Sequence, residues 1–280
     1  VNNVATPGQD TINLVMHPIA PRVLEVLETI ALTPRMQRIV LGGTDIEDDF
    51  PFVPMAADSH FKLFFPEPET GELVMPEIGP FGLAPRADGR RPQFRDYTIR
   101  AYDAEKRAVT IDFVLHTHGV GGSWAAAAQP GDRIGVIGPR GSHIYPVGYD
   151  WYLLAADETA LPALNRWLEE LPADKQVRAV VEVTDVEDEI ALPVSDRVRV
   201  RYLHRGAAAP GTTTLLVEAI RELERPEGRV FAWAAGESTS LRPVRRFFVD
   251  ELGLSKEQMK VDGYWRVGTV NLDHHAEDDE

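Results

Sequence analysis

The sequence predicts a two-part protein of the β + α/β class, with a six-stranded antiparallel β-barrel followed by a parallel α/β domain. Three observations predict it. Apolar and polar residues alternate in short runs through the first half. After about Val147, short apolar runs alternate with segments of helical period. At 280 residues and 44% hydrophobic, the chain can fill two cores.

Taken in order, residues 1–20 lack the basic-then-apolar pattern of a signal peptide and read as a flexible or partly ordered leader. Strands are expected at 23–28, 37–41, 60–65, 96–102, 109–116 and 132–138, each alternating or rich in β-formers. The Pro- and Gly-rich stretch 75–92 reads as a loop, and GSWAAAA (122–128) as a short helix. Six short strands with one helix suggest a small barrel over residues 21–147.

The second domain, residues 148–270, opens with the strand WYLLAA (151–156). A helix follows, with Ala160, Leu161, Leu164, Trp167, Leu168 and Leu171 on one face; Asp157 or Thr159 can cap it, and Pro162 falls in its first turn. Strands at 177–183, 198–204, 229–235 and 259–265 and helices at 212–223 and 238–252 complete the alternation, which implies right-handed crossovers and a mainly parallel sheet. Residues 271–280 read as an acidic tail.

Charge and composition exclude several functions. Twenty-nine Lys and Arg against 44 Asp and Glu give a net charge of −15, unsuited to tracking nucleic acid or an anionic membrane. Zero cysteines exclude disulfides, thiolate zinc sites and Cys-ligated iron–sulfur clusters, and fit a reducing compartment; a cytoplasmic location is expected. No apolar run is long enough to span a membrane. The eight histidines show no metal-ligand spacing, and no metal site is expected.

The motifs point to nucleotide chemistry. In RDYTIR (95–100), Arg95, Tyr97 and Ile99 share one strand face and Asp96, Thr98 and Arg100 the other. A flavin needs an aromatic or apolar plate, donors at its ring edge and cations at its phosphates, and this stretch supplies such groups. An edge strand with solvated arginines is the equally weighted alternative. HTHGVGGSWAAAA (116–128) is a glycine-rich loop opening a helix, where free N–H groups attract a pyrophosphate. AADETALP (155–162) and AAGEST (234–239) follow strands of the α/β domain, at the carboxyl ends where open parallel sheets bind ligands.

TPRMQRIVL (33–41), RDYTIR (95–100), DFVLHTHGVGGSWA (112–125), GDRIGVIGPRGS (131–142), AADETALPAL (155–164), RYLHR (201–205), AAGE (234–237) and GYWRVG (263–268) occur in this order across residues 22–268. Together they resemble the siderophore-interacting proteins, FAD-dependent ferric-siderophore reductases related to ferredoxin reductases. The resemblance implies an FAD-binding barrel and an NAD(P)H-binding α/β domain. It implies that Arg95, Tyr97 and Thr98 hold the flavin, with Tyr97 near the ring and Thr98 near N5. Asp112, Val114 and His116 would lie along the FAD, and Gly121, Gly122, Ser123 and Trp124 would cradle its pyrophosphate. A lone strand-end histidine such as His116 is more often structural. Asp157, Glu158 and Thr159 would meet the nicotinamide, joined by Gly236 and Glu237; Thr98, Asp157 and Glu158 are the candidate catalytic residues. Lys62, Arg140 and Arg266 would meet an anionic ferric siderophore at a cleft.

The implied activity is hydride transfer from NADPH or NADH to FAD, then single-electron reduction of the ferric siderophore to release Fe(II) for iron uptake. Arg205, Arg242 and Arg245 could offset the carboxylates beside a 2′-phosphate, so the choice of nicotinamide stays open, and a ferredoxin is the alternative electron donor. The rival functions are a flavin or ferredoxin-type reductase with another acceptor, and a non-catalytic flavoprotein that carries or senses a siderophore.

Overall fold

A computed structural model describes residues 10–80, 82–116 and 119–269. The chain divides into two compact units: Leu14–His143, and the chain from Ile144 onward together with residues 10–13. The first unit carries β1 (Asn13–Met16), β2 (Pro21–Thr33), β3 (Met36–Gly42), β4 (His60–Phe65), β5 (Glu77–Gly79), β6 (Gly82–Ala84), β7 (Gln93–Thr98), β8 (Ala101–Asp103), β9 (Ala108–Val114), α1 (Val120–Ala127), β10 (Arg133–Ile137) and β11 (Gly141–Ile144). β1 and β11 pair with each other at the unit's boundary.

The main sheet runs β7-β4-β10-β2-β3-β9-β8, with every ladder antiparallel. Its two outer strands, β7 and β8, are separated only by Ile99 and Arg100. The Ile99 N–H donates to the Ser59 carbonyl at 2.8 Å, and the Arg100 N–H donates to the Thr110 carbonyl at 2.9 Å. The chain thus changes partner between consecutive residues and closes the sheet. The six-stranded barrel is present, with the expected strand 96–102 divided into β7 and β8. Alternation drives the closure. Leu24, Val26, Ile39, Leu41, Phe61, Leu63, Phe65, Val109, Ile111, Phe113, Ile134 and Val136 all point into one core.

Two expectations for this unit need correction. Residues 75–92 do not form a plain loop: β5 and β6 make a hairpin there, pairing Ile78 with Leu83. The leader ends sooner than residue 20, because Asn13–Met16 forms β1 and the His17 N–H donates to the Arg140 carbonyl at 2.9 Å. Residues 271–280, with His274 and His275, lie outside the described residues, as do Thr117 and His118.

The second unit carries β12 (Trp151–Asp157), a 3₁₀ turn (Glu158–Ala160), α2 (Leu161–Glu170), β13 (Gln176–Val183), β14 (Val198–His204), α3 (Leu215–Glu222), β15 (Val230–Glu237), α4 (Leu241–Arg246) and β16 (Met259–Trp265). A π-helical turn, Phe247–Glu251, continues α4. The sheet order is β14-β13-β12-β15-β16 and all pairings are parallel. β12 is buried along its whole length. Trp151, Leu153 and Ala155 pack with Leu216, Ile220 and Phe247 beneath α3 and α4. On the opposite face, Tyr152 meets Trp167 of α2 at 5.8 Å between ring centroids. A strand buried on both faces reads as a continuous apolar run rather than as alternation. The strand order reverses between β12 and β15, the switch point at which such sheets bind nucleotides.

Candidate cofactor and substrate sites

In the barrel unit, the end of β9 leads into α1, an eight-residue helix. Its N-cap is Gly119, at φ 96°, with no capping side chain and no acidic residue in the first turn. Gly119 itself offers no side chain to the first-turn N–H groups, which carry the positive end of the helix dipole. Gly121 and Gly122 are buried, whereas Ser123 is exposed. A Cβ on Gly122 would stand 3.0 Å from the backbone N and O of His116, so the helix packs directly on the chain that follows β9. A Cβ on Gly121 would stand 2.2 Å from the Tyr97 hydroxyl.

Tyr97 belongs to an aromatic cluster. Its ring lies 4.3 Å from Phe113 and meets Phe65 edge-on at 6.4 Å. Trp124 of α1 meets Phe65 at 5.7 Å and Phe113 at 5.8 Å. Burial raises the Tyr97 phenol above its ordinary range, so it stays a neutral hydrogen-bonding group. Arg95, on the Tyr97 face of β7, donates to the Phe94 carbonyl at 2.6 Å. A half-buried tyrosine, a tryptophan, a nearby guanidinium and an uncapped glycine-rich helix start fit the ring and pyrophosphate of a dinucleotide such as FAD.

The other expected cofactor residues stand differently. Thr98 is buried and opposite His60 in the β4–β7 ladder, on the face away from Tyr97. Asp112 and Val114 point away from Phe113, and Asp112 is committed to Arg38, which binds both its oxygens at 2.7 and 2.8 Å. His116 is exposed. The residues drawn from one short motif thus divide between two faces of the barrel wall.

In the α/β unit, the switch point is built around Asp157 at the end of β12. One oxygen accepts from the Thr159 N–H at 2.9 Å and the Thr159 hydroxyl at 2.5 Å. The other accepts from the Glu237 N–H at 2.9 Å and the Trp265 indole at 2.8 Å. Burial pushes the Asp157 carboxyl up to about 6, helped by the neighbouring Glu158, while Thr159 and Trp265 pull it down. Gly236 must be glycine: its φ is +152°, and a Cβ would meet an Asp157 oxygen at 2.6 Å. Glu237 is fully buried and accepts from the N–H groups of Ser240 at 2.6 Å and Val267 at 3.1 Å.

Beside it lies a second charged group. Arg205 is buried and grips Glu158 with both terminal nitrogens, one bond measuring 2.7 Å. It also donates to Thr184 at 2.8 Å and lies 4.0 Å from Glu182. Glu182 accepts from the Thr213 hydroxyl, and burial raises its carboxyl. The Arg205 Nε is buried and has no acceptor among the described residues.

Three expectations change accordingly. Asp157, Glu158 and Glu237 have internal partners, so they shape the site more than they present free carboxylates. Arg205 is neutralised by Glu158 and is not a free cation for a 2′-phosphate, whereas Arg242 and Arg245 on α4 are exposed. Lys62 is held by Asp96. Arg140 and Arg266 are exposed; Lys62 and Arg140 belong to one unit and Arg266 to the other. Sequence reasoning missed Glu182, Thr184, Thr213 and the indole of Trp265. For the first three the signal was position, at or beyond the carboxyl end of a strand, while Trp265 lies in the GYWRVG motif.

An uncapped glycine helix over an aromatic cluster and a parallel sheet with a built switch point define a two-unit nucleotide-binding protein of the ferredoxin-reductase fold. A ferredoxin reductase from carbazole 1,9a-dioxygenase shares that fold at 15% identity and a TM-score of 0.59. The chain belongs to the siderophore-interacting protein family: residues 25–143 match its siderophore-interacting FAD-binding domain, and residues 149–268 match the siderophore-interacting protein domain. A crystal structure of a siderophore utilization protein from T. fusca is similar at 49% identity and a TM-score of 0.86, covering 94% of this chain and 99% of that one. The NADPH-dependent ferric-chelate reductase of Escherichia coli is 34% identical over 88% of this chain and 93% of its own. The ferric vibriobactin reductase ViuB of Vibrio cholerae is 31% identical over 92% of this chain and 94% of its own. Among the described residues, no helix is long and apolar enough to cross a membrane, and no His, Asp and Glu cluster could hold a metal ion.

Proposed function

We propose that this chain is an FAD-dependent ferric-siderophore reductase driven by NADPH or NADH. The observation that carries the reading is the pairing, in one chain, of an FAD-type cradle on the barrel with a built nucleotide switch point on the parallel sheet. The two reductases similar over nearly their whole length support the acceptor. Bound FAD supplies the step from a two-electron hydride to single electrons, which a ferric ion requires.

The chain's own residues bind and orient. Arg95 and the N–H groups at the start of α1 neutralise the dinucleotide phosphates. Tyr97, backed by Phe113 and Trp124, fixes the ring edge. Asp157 ties the end of β12 to β15, the start of α2 and the end of β16, so the nicotinamide pocket keeps one shape. Thr159 and Gly236 give the nicotinamide close access to backbone. In the barrel unit, Arg140 and, after release from Asp96, Lys62 attract an anionic chelate; Arg266 is an exposed cation of the α/β unit. Siderophores hold Fe(III) with hard oxygen donors and hold Fe(II) far less well, so reduction alone frees the metal. No nucleophile or metal ligand from the protein is needed.

The cytoplasm, which supplies both nicotinamides, is the compartment this reading requires. The test is anaerobic iron release. FAD-loaded protein is given NADPH, NADH or a reduced ferredoxin, then a ferric siderophore, with an Fe(II)-specific chromogenic chelator as trap. The reading expects Fe(II) with at least one nicotinamide. Release with ferredoxin alone would move the donor to that protein, and release with none would end the reading.

A further inference from the structure

The β4–β7 ladder sets three residue pairs in a row: Phe64 opposite Phe94, Lys62 opposite Asp96, and His60 opposite Thr98. Opposed residues of an antiparallel ladder project to the same side. His60, Lys62, Asp96 and Thr98 therefore share one face, the one away from Tyr97 and Phe61. The Lys62 ammonium is bound by both oxygens of Asp96, at 3.0 and 3.1 Å, and lies 4.8 Å from the centroid of the Phe94 ring. The Lys62 side chain is 37% exposed and that of Asp96 13%, so solvent reaches the cation while its counter-charge is largely covered. Arg140 makes a clear contrast: it is exposed, and its guanidinium donates to the His17 carbonyl at 3.4 Å.

We propose that Asp96 is the specificity-determining residue of the substrate face, screening Lys62 so that the face discriminates ferric chelates by their charge. The inference rests on the proposed function and deepens it. A solvent-accessible ion pair of this kind is held weakly enough for the lysine to exchange partners. A polyanionic chelate draws Lys62 away from Asp96, but the carboxylate left behind repels it. An uncharged chelate gains nothing from a cation that is already neutralised and loses nothing to Asp96. The pair thus narrows the advantage that a basic surface would otherwise give to the most highly charged chelate. In a chain of net charge −15 this local balance is set against an already repulsive field. Asp96 acts through Lys62 and is a positioning residue.

The experiment measures binding rather than turnover. FAD-loaded full chain is titrated with a trianionic ferric tris-catecholate and with an uncharged ferric trihydroxamate, followed by protein fluorescence at low and high salt. Asp96→Asn is expected to tighten the trianion roughly three- to tenfold at low salt, with the gain fading at high salt, and to leave the uncharged chelate unchanged. Asp96→Glu should behave as the parent, and Lys62→Gln should abolish the gain in the double variant. Should Asp96→Asn fail to hold FAD, Asp96→Ser takes its place: it must tighten the trianion at low salt and spare the uncharged chelate. Unchanged or weaker trianion binding by Asp96→Asn, or equal losses of both chelates in Lys62→Gln, would overturn the proposal. If the parent protein binds neither chelate, the failure lies with the proposed function itself.

Discussion

Replacing Gly121 by alanine tests why the start of α1 is built from glycine. The added Cβ would lie 2.2 Å from the Tyr97 hydroxyl and 3.1 and 3.2 Å from two of its ring carbons. Ordinary contact begins near 3.4 Å, so the ring must move by about 1 Å. Phe113, 4.3 Å from the Tyr97 ring, stands against part of that movement. Overpacking of this kind costs about 1–3 kcal/mol, partly offset by up to ~1 kcal/mol of better helix propensity. The second substitution is Tyr97→Phe. It removes the 2.2 Å contact and leaves only the ring contacts, short by a few tenths of an ångström. Denaturant unfolding and FAD titration of the parent, both single variants and the double form a cycle. The expected coupling is about 1–2 kcal/mol, with the double variant more stable than Gly121→Ala alone. Flavin affinity should fall in Gly121→Ala and partly recover in the double variant. If Gly121→Ala matches the parent in both measurements, or Tyr97→Phe gives no rescue, the glycine does not serve Tyr97.

Three further outcomes follow from the same geometry. Arg38→Met leaves Asp112 buried without its bidentate partner and should lower stability by about 3–5 kcal/mol, seen as a fall in Tm. The folded Asp157 carboxyl, at about 6, stands above its ordinary 3.8, so its protonated form is favoured in the folded state. Its contribution is therefore full below the lower value and lost as pH rises through the upper one, on the order of 3 kcal/mol by linkage. Unfolding of the α/β unit followed against pH should show that decline, and Asp157→Asn should flatten it. Arg242→Ala should raise KM for NADPH more than for NADH, because Arg205 is occupied by Glu158 while Arg242 is exposed; steady-state kinetics with both donors check this.

Much of this was legible in the sequence, for physical reasons that also explain the remainder. β2 announced itself by alternation, because Leu24 and Val26 are buried while Glu25 and Leu27 are exposed. WYLLAA was legible as a strand because Trp151 and Tyr152 both bury large rings, on opposite faces. The helix at 161–170 was legible from Leu161, Leu164, Trp167 and Leu168, all buried. The division of 96–102 was not legible, since nothing in Thr98-Ile99-Arg100 marks a change of hydrogen-bonding partner. The β5–β6 hairpin escaped because its strands are three residues each and too short to show a period. At the sites, motifs gave residue types but not partners. RDYTIR placed an aspartate beside a tyrosine, yet only cross-strand register sets Asp96 against Lys62. Asp157 was legible as a cap, and it does accept from the Thr159 N–H. Its bonds to Glu237 and Trp265, 80 and 108 residues away, could not be read from spacing.

Under the proposed function, electrons pass from a nicotinamide through protein-bound flavin to chelated iron. Single-turnover mixing under anaerobic conditions tests it most directly. Flavin-loaded protein is first mixed with one equivalent of NADPH or NADH, then with excess ferric siderophore, and the yellow flavin absorbance and trapped Fe(II) are followed together. The expected result is bleaching in the first mix and recovery of the colour in the second, with two Fe(II) released per flavin. Flavin that bleaches but stays colourless in the presence of the ferric chelate, with no Fe(II) formed, would contradict it.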